Sequence, residues 1–207
     1  MSYTVENLFS IPLFKTNYGK ISREEKREID KLIMDLQENS CNYTSNERHI
    51  LDKNLSELRK FIEQSIVSYV EEVIIGDEYD QDKLSFPITQ SWINLTQPGG
   101  SHHSHCHRNS VLSGVFYIQT NPEVDGITFR NLIPEQTIAI EPKKYNHYNS
   151  ATWRVMVEEG DLLLFPSHLY HYVDTVITPM PRLSLSFNAF PRGTLGHSRD
   201  LTELIIN

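Results

Sequence analysis

Histidines are crowded into one short stretch of this chain. Of the nine histidines, four lie within six residues: His102, His103, His105 and His107. Side chains of a β-strand alternate between its two faces, so His105 and His107 would point the same way and Cys106 the opposite way. Two imidazoles on one face can bind a single metal ion. The pair His103 and His105 has the same spacing, and the cluster could also be a polar loop that faces solvent.

A third ligand would have to come from a distant part of the chain. The segment 160–173 predicts a buried apolar strand that ends at Pro166, then a turn, then a second strand that carries His171. His168 lies in the turn and is expected to face solvent. His171 could complete a three-histidine metal site, or it could be a core histidine whose hydrogen bonds are satisfied.

An arginine opens the last long apolar strand. Arg182 and Ser184 share one face of this strand. The guanidinium group is a rigid fork of donors that matches a carboxylate. A charge inside an apolar strand is costly unless an anion lies beside it. Arg182 is therefore a candidate anion-binding residue, although an ordinary surface arginine is the alternative.

The first half of the chain predicts helices. Ser22 and Glu25 have the spacing of a capping box, which predicts that a helix begins there. Apolar residues at helical spacing predict a second helix over 55–75, and Gly76 is a stop signal. The polar segment 39–48 predicts a loop.

The second half of the chain predicts strands. Short β-branched and aromatic runs are separated by Gly, Pro and Asn, which is typical of strands and turns. The predicted strands are 86–96, 103–120, 125–130, 136–141, 152–158, 161–165, 170–177 and 182–190. Helices followed by strands indicate an α+β fold whose β part closes as a sandwich or barrel. We expect one domain over 1–207, with mainly helical support in 1–80 and the β core in 81–195.

Composition excludes several classes of protein. Hydrophobic residues make up 39% of the 207 residues and charged residues 22%, which argues against a disordered chain. The formal charge of −8 argues against binding to nucleic acid or to an anionic membrane. No apolar run reaches the length of a membrane span, and no secretory signal is visible. With only Cys41 and Cys106, no disulfide framework is expected, so we predict a cytoplasmic protein. A homo-oligomer remains open.

The order of these residues resembles a known family. His-x-His, a long gap, a further His and then Arg-x-Ser resembles the iron(II)- and 2-oxoglutarate-dependent oxygenases, and most closely a branch of small proteins from bacteria and phages. The resemblance implies a double-stranded β-helix, which is a kind of jelly roll. The matching stretches are 8–14, 91–94, 105–107, 112–117, 160–167, His171 and 182–188.

The resemblance also implies roles for individual residues. His105, His107 and His171 match the iron ligands, Arg182 and Ser184 match the residues that bind the distal carboxylate of 2-oxoglutarate, and Tyr117, Asn94 and Asn188 match polar groups around this co-substrate. The chain departs from most of the superfamily at His107, where a carboxylate is usual. Three neutral imidazoles would leave the full charge of the iron, which dianionic 2-oxoglutarate would neutralise.

The implied activity is hydroxylation of an unidentified substrate, either a small molecule or a protein side chain, with release of succinate and CO2. One alternative is a non-enzymatic jelly-roll module whose histidines bind zinc or nothing. Another is a three-histidine dioxygenase of the cupin type, which has no need of the pair Arg182 and Ser184. The segment 132–151 could be a lid or substrate loop, or a plain surface hairpin.

Overall fold

The structure is a computed structural model that describes residues 1–6, 8–131 and 140–207. Its helices are α1 (Arg23–Leu32) and α2 (Ser56–Tyr69), with short 3-10 turns at Ile50–Asp52 and Ser198–Asp200. Its strands are β1 (Phe14–Asn17), β2 (Leu36–Asn39), β3 (Asn42–Ser45), β4 (Leu84–Ser85), β5 (Ile88–Thr96), β6 (His102–His105), β7 (Leu112–Gln119), β8 (Gly126–Arg130), β9 (Thr152–Met156), β10 (Asp161–Pro166), β11 (His171–Val173), β12 (Arg182–Ala189), β13 (Arg192–Leu195) and β14 (Leu204–Ile206).

Both predicted helices form. The capping box at the start of α1 is confirmed, because the Glu25 N–H donates to Ser22 Oγ and the Ser22 N–H donates to the Glu25 carboxylate. The same carboxylate accepts a hydrogen bond from the Leu58 N–H at 3.0 Å, which ties α1 to α2. Beyond α2 the chain continues as a wider π-helical turn, Val70–Ile75, and stops at Gly76 with a φ of 81°. Only glycine adopts this left-handed conformation without strain.

Two sheets face each other. The major sheet has the strand order β1-β10-β7-β12-β5-β3-β2, and the minor sheet has the order β6-β11-β8-β9. A small third sheet has the order β14-β13-β4. Neighbouring strands pair antiparallel throughout the described residues. One face of the major sheet packs against the helices, and the other face lies toward the minor sheet.

Alternation along the strands separates two cores. On β12, the apolar side chains of Leu183, Leu185 and Phe187 pack with the helices. Between the two sheets lies a second apolar cluster, formed by Val115, Tyr117, Ile127, Phe129, Val157, Leu163, Phe165 and Leu169. The alternate residues of β12, which include Arg182 and Ser184, belong to the face that looks toward the minor sheet. The strand thus carries its polar residues into the space between the sheets.

The prediction of a loop over 39–48 is wrong. The chain forms a hairpin of β2 and β3 there, and β3 pairs with β5. The hairpin escapes the sequence pattern because its buried side chains, Asn42, Thr44 and Ser45, are polar. Residues 1–80 therefore contribute three strands, β1, β2 and β3, to the major sheet as well as the two helices.

The single strand predicted over 103–120 is also wrong. It is two strands, β6 in the minor sheet and β7 in the major sheet, because the chain turns between them and crosses from one sheet to the other. Of the strand predicted over 136–141, residues 136–139 lie outside the described residues. In the part of the chain that is described, no helix has the length and apolarity needed to cross a bilayer.

A tight contact in the major sheet gives a stability prediction. Gly114 on β7 lies opposite Phe187 on β12, and a Cβ atom at Gly114 would lie 2.1 Å from the Phe187 ring. Because this ring is fully buried and cannot swing away, Gly114→Ala should lower the free energy of unfolding by about 1–3 kcal/mol. Urea denaturation measures the loss. Phe187→Leu in the same chain should make the two losses less than additive, whereas simple additivity would contradict the contact.

Candidate metal centre

Three histidines meet at one end of the space between the sheets. His105 is the last residue of β6 and lies opposite His171, the first residue of β11. His107 lies two residues beyond β6, where its backbone N–H donates to the Ser167 carbonyl at 2.9 Å. The ring centroids are 4.4 Å apart for His105 and His171, and 5.2 Å apart for each pair that includes His107. One ring nitrogen from each residue lies within 4.8 Å of the other two.

Backbone carbonyls set the protonation of two of these rings. Nδ1 of His105 lies 2.8 Å from the His103 carbonyl, and Nδ1 of His171 lies 3.0 Å from the Leu169 carbonyl. Because a carbonyl can only accept, Nδ1 carries the proton in both rings and Nε2 keeps its lone pair. Such partners orient histidines that bind a metal through the other nitrogen.

The third ring is held by the opposite sheet. His107 Nδ1 lies 2.6 Å from Asn188 Oδ1 and 2.8 Å from Ser113 Oγ. Ser113 Oγ donates to the same Asn188 oxygen at 2.8 Å, and it also contacts Ser167 Oγ at 2.8 Å. Because the amide oxygen accepts, His107 Nδ1 donates, and its Nε2 has no hydrogen-bond partner in the described parts of the chain. The contact joins the minor-sheet side of the site to β12.

Burial keeps these imidazoles neutral. Removal from water lowers the pKa of His171 to about 3 and the pKa of His107 to about 4. Burial lowers the pKa of His105 as well. Neutral imidazole is the form that binds a metal. No carboxylate belongs to the group within the described parts of the chain. Three imidazole nitrogens are suited to a divalent transition metal such as iron, nickel or zinc.

The alternative pair of equal spacing, His103 and His105, also belongs to a group of histidines that could hold a metal ion. His102, His103 and His105 have ring nitrogens within 4.8 Å of one another, so His105 is common to both groups. His103 is exposed, whereas His171 is only 4% exposed. The expectation that His105 and His107 share a strand face is wrong, because β6 ends at His105. Cys106 belongs to neither group, and His168 is exposed, as predicted.

A cavity of about 370 Å³ opens beside the histidines. Arg182 lines it and is only 3% exposed, and its guanidinium lies over the Tyr117 ring at 5.0 Å. Its Nη1 donates to Ser184 Oγ at 3.4 Å, while its buried Nε has no hydrogen-bond partner among the described residues. In the same described set, no carboxylate forms an ion pair with it. A buried cation of this kind calls for an anionic ligand.

Two further buried polar atoms point to a ligand. The Tyr117 hydroxyl and Asn94 Oδ1 have no hydrogen-bond partner among the described residues. Asn94 Nδ2 donates to Ser186 Oγ at 3.0 Å, which fixes the amide. Buried polar atoms are normally bonded. The Arg182 Nε and Tyr117 hydroxyl donors therefore fit a negatively charged molecule, and a dicarboxylate that also reaches the histidines has the right chemistry, whereas Asn94 Oδ1 needs a donor.

The structure groups most of the residues singled out from the sequence. The cavity is lined by all three histidines together with Asn94, Arg182 and Ser184. Asn188 instead contacts His107. Sequence reasoning missed Ser113 and Ser167, which have no signal of their own, and Trp92, whose ring meets His107 edge-on at 5.6 Å. It also missed Arg48, because it lies in the segment that was predicted to be a loop.

The middle of the chain matches a protein family. Residues 90–188 match a family model described as "Putative 2OG-Fe(II) oxygenase". This range contains the three histidines, Arg182 and Ser184. Over this range, which is just under half of the chain, the sequence is similar to the iron(II)- and 2-oxoglutarate-dependent oxygenases. Among curated proteins, no sequence matches significantly.

Solved structures of the superfamily have the same fold. A prolyl-4-hydroxylase from Pseudomonas putida is 15% identical with a TM-score of 0.55, over 89% of this chain and 95% of that chain. An oxidoreductase of the 2OG-Fe(II) oxygenase family from Burkholderia pseudomallei is 14% identical with a TM-score of 0.54, over 86% and 83%. HygX from Streptomyces hygroscopicus, with nickel, 2-oxoglutarate and hygromycin B bound, is 11% identical with a TM-score of 0.57, over 86% and 82%. The expected α+β class with a jelly-roll core is confirmed.

The contact between His107 and Asn188 gives a prediction about positioning. Asn188→Ala removes the acceptor that orients His107, so metal affinity should fall by about 10–100-fold. Asn188→Asp keeps an oxygen acceptor and should restore most of the affinity. Calorimetric titration with nickel(II) measures both. The hydrogen bond to Asn188 also raises the pKa of His107 against the effect of burial, so Asn188→Ala should lower this pKa in the metal-free protein, as read by NMR. Equal affinities for the two variants would contradict the role.

Proposed function

We propose that this chain is a 2-oxoglutarate-dependent dioxygenase that hydroxylates its substrate and releases succinate and CO2. The observation that carries the proposal is the buried Arg182, which has no carboxylate partner among the described residues and lines the same cavity as three neutral histidines. The family-model match over residues 90–188 and the fold support the same chemistry. The combination of a three-nitrogen metal site and an unpaired cation is what binding of an iron ion and a dicarboxylate requires.

His105, His107 and His171 are the proposed iron ligands. Among the described residues, their Nε2 atoms have no hydrogen-bond partner and their Nδ1 atoms have fixed ones, so the rings need little reorientation to bind a metal. Iron(II) with 2-oxoglutarate supplies the O2-dependent oxidation that the protein itself cannot perform. The protein supplies orientation and shielding, since His171 packs against the rings of Phe129 and Phe165, which keep water from one side of the site.

Arg182 and Ser184 are the proposed anchors of the distal carboxylate of 2-oxoglutarate. The Arg182 Nε and the Tyr117 hydroxyl can donate to this carboxylate, and Asn94 lies on the neighbouring strand, opposite Ser184. With three neutral ligands, the two charges of the metal match the two charges of the co-substrate. Asn188 acts on the co-substrate only through His107 in this proposal.

Two other functions remain as outcomes of experiment. A zinc-binding module without catalysis would bind metal but not 2-oxoglutarate. A cupin-type dioxygenase would not need Arg182, because it uses no 2-oxoglutarate. The substrate is a small molecule or a protein side chain, and the similar structures include a prolyl-4-hydroxylase and HygX with hygromycin B bound. We also propose a cytoplasmic location, which the two free cysteines favour.

Replacement of one histidine tests the metal site. His171→Ala should abolish stoichiometric binding of iron(II), measured anaerobically by metal analysis after gel filtration. His168→Ala is the matched control, because His168 lies three residues away and is exposed, and it should bind one iron as the wild type does. Unchanged iron content in His171→Ala would refute the ligand assignment.

Replacement of Arg182 tests the co-substrate site. The charge-assisted hydrogen bonds of Arg182 contribute roughly 1.5–3 kcal/mol each, so Arg182→Ala should weaken 2-oxoglutarate binding by about two orders of magnitude. Arg182→Lys should restore only part of it, because an ammonium group cannot form two parallel bonds. The exposed Arg192 offers a control, Arg192→Ala, with normal binding. Anaerobic calorimetry on metal-loaded protein measures the affinities.

Turnover tests the function as a whole. The wild type with iron(II), 2-oxoglutarate, O2 and ascorbate, which supplies the two electrons that a substrate would otherwise give, should form succinate slowly even without substrate, and Arg182→Ala should form far less. If the wild type binds no 2-oxoglutarate at millimolar concentration, the oxygenase proposal is wrong and the binding-module alternative takes its place.

A further inference from the structure

A second arginine lines the cavity. Arg48 follows β3, is half-buried, and donates from Nη1 to Thr44 Oγ1 at 3.0 Å. This hydrogen bond holds the guanidinium against the major sheet rather than leaving it free in solvent. The side chain is therefore a fixed positive charge at the cavity wall.

Arg48 has no carboxylate partner among the described residues. The carboxylate of its neighbour Glu47 pairs with Lys53 at 2.7 Å and accepts hydrogen bonds from the backbone N–H groups of Arg48 and His49. Glu38 is the one carboxylate among the described residues that line the cavity. It is exposed and forms no ion pair with Arg48 or Arg182.

The register of the major sheet separates Arg48 from the proposed co-substrate site. Thr44 on β3 lies opposite Asn94 on β5, and Asn94 lies opposite Ser184 on β12. Neighbouring strands are about 4.8 Å apart, so Thr44 and Ser184 are roughly 10 Å apart. Arg48 is thus anchored two strands away from the residues proposed to bind the distal carboxylate.

The charges of the proposed complex leave Arg48 unmatched. If the proposed function holds, 2-oxoglutarate offers one carboxylate to the metal and the other to Arg182, and the three histidines contribute no negative charge. Because the metal and 2-oxoglutarate cancel each other's charge, Arg48 and Arg182 leave two positive charges at the cavity wall against the one negative charge of the exposed Glu38, so the remaining cavity is positive. Trp92, which also lines the cavity, adds an aromatic surface beside His107. A partly enclosed positive cavity favours a negatively charged ligand.

We propose that the substrate of this enzyme is an acidic small molecule and that Arg48 binds its carboxylate. The proposal rests on the proposed function, because it assigns 2-oxoglutarate to Arg182 and the metal. Arg48 acts as a specificity residue in this proposal. It selects the substrate and fixes the distance between the substrate carboxylate and the metal.

The test uses full-length protein loaded with nickel(II) and saturated with 2-oxoglutarate. The probes are small alkyl and aryl carboxylic acids, each paired with its own primary amide, and binding is measured by ligand-observed NMR titration. At least one acid should bind the wild type about tenfold or more tightly than its amide. Arg48→Gln should remove this preference, and Arg48→Lys should keep part of it. Arg23→Gln, a charge loss at an exposed position on α1, should bind as the wild type does.

Three results would overturn the proposal: no acid binds more tightly than its amide, the preference persists in Arg48→Gln, or Arg48→Gln loses 2-oxoglutarate binding. The last would place Arg48 in the co-substrate site. A phosphate ester that binds more tightly than every acid, and needs Arg48, would refute the carboxylate and identify a phosphate instead. Failure of the wild type to bind 2-oxoglutarate would count against the proposed function alone, because the same titrations without 2-oxoglutarate still decide the role of Arg48.

Discussion

The buried charge of Arg182 is the constraint around which the rest of the site is arranged. An uncompensated buried cation is strongly destabilising, and the aromatic face of Tyr117 offsets only part of this cost. The chain nevertheless places Arg182 inside a strand whose other face forms the main apolar core. An anionic ligand in the cavity that Arg182 lines would offset the rest of this cost.

The histidine cluster depends on the pairing of two short strands and on one contact between the sheets. Pairing of β6 with β11 brings His105 opposite His171, and the hydrogen bond from His107 to Asn188 connects this pair to β12. Because Arg182 lies on the same strand as Asn188, a single strand contacts one histidine and carries the buried arginine. A shift of β12 by one residue would reverse both side chains, so the register of this strand positions the metal site and the arginine together.

Local patterns made much of this predictable from the sequence. Capping, helical spacing and strand alternation depend only on neighbouring residues, and they located both helices and most strands of the core. The set His105, His171 and Arg182 was instead implied by the resemblance to a known family. What the sequence did not reveal depends on pairing between distant segments. The hairpin of β2 and β3 is polar even where it is buried, and the chain reversal after His105 looks like the middle of one strand. The role of Arg48 appears only when β3 is seen next to β5.

The central claim is that one iron ion binds to His105, His107 and His171 in the same cavity as a dicarboxylate. Anomalous diffraction at the iron edge, from crystals grown anaerobically with iron(II) and 2-oxoglutarate, tests it most directly. The account predicts one peak within bonding distance of the three Nε2 atoms, with 2-oxoglutarate joining the metal to Arg182. A peak held by His102, His103 and His105, or a co-substrate that does not reach Arg182, would contradict it.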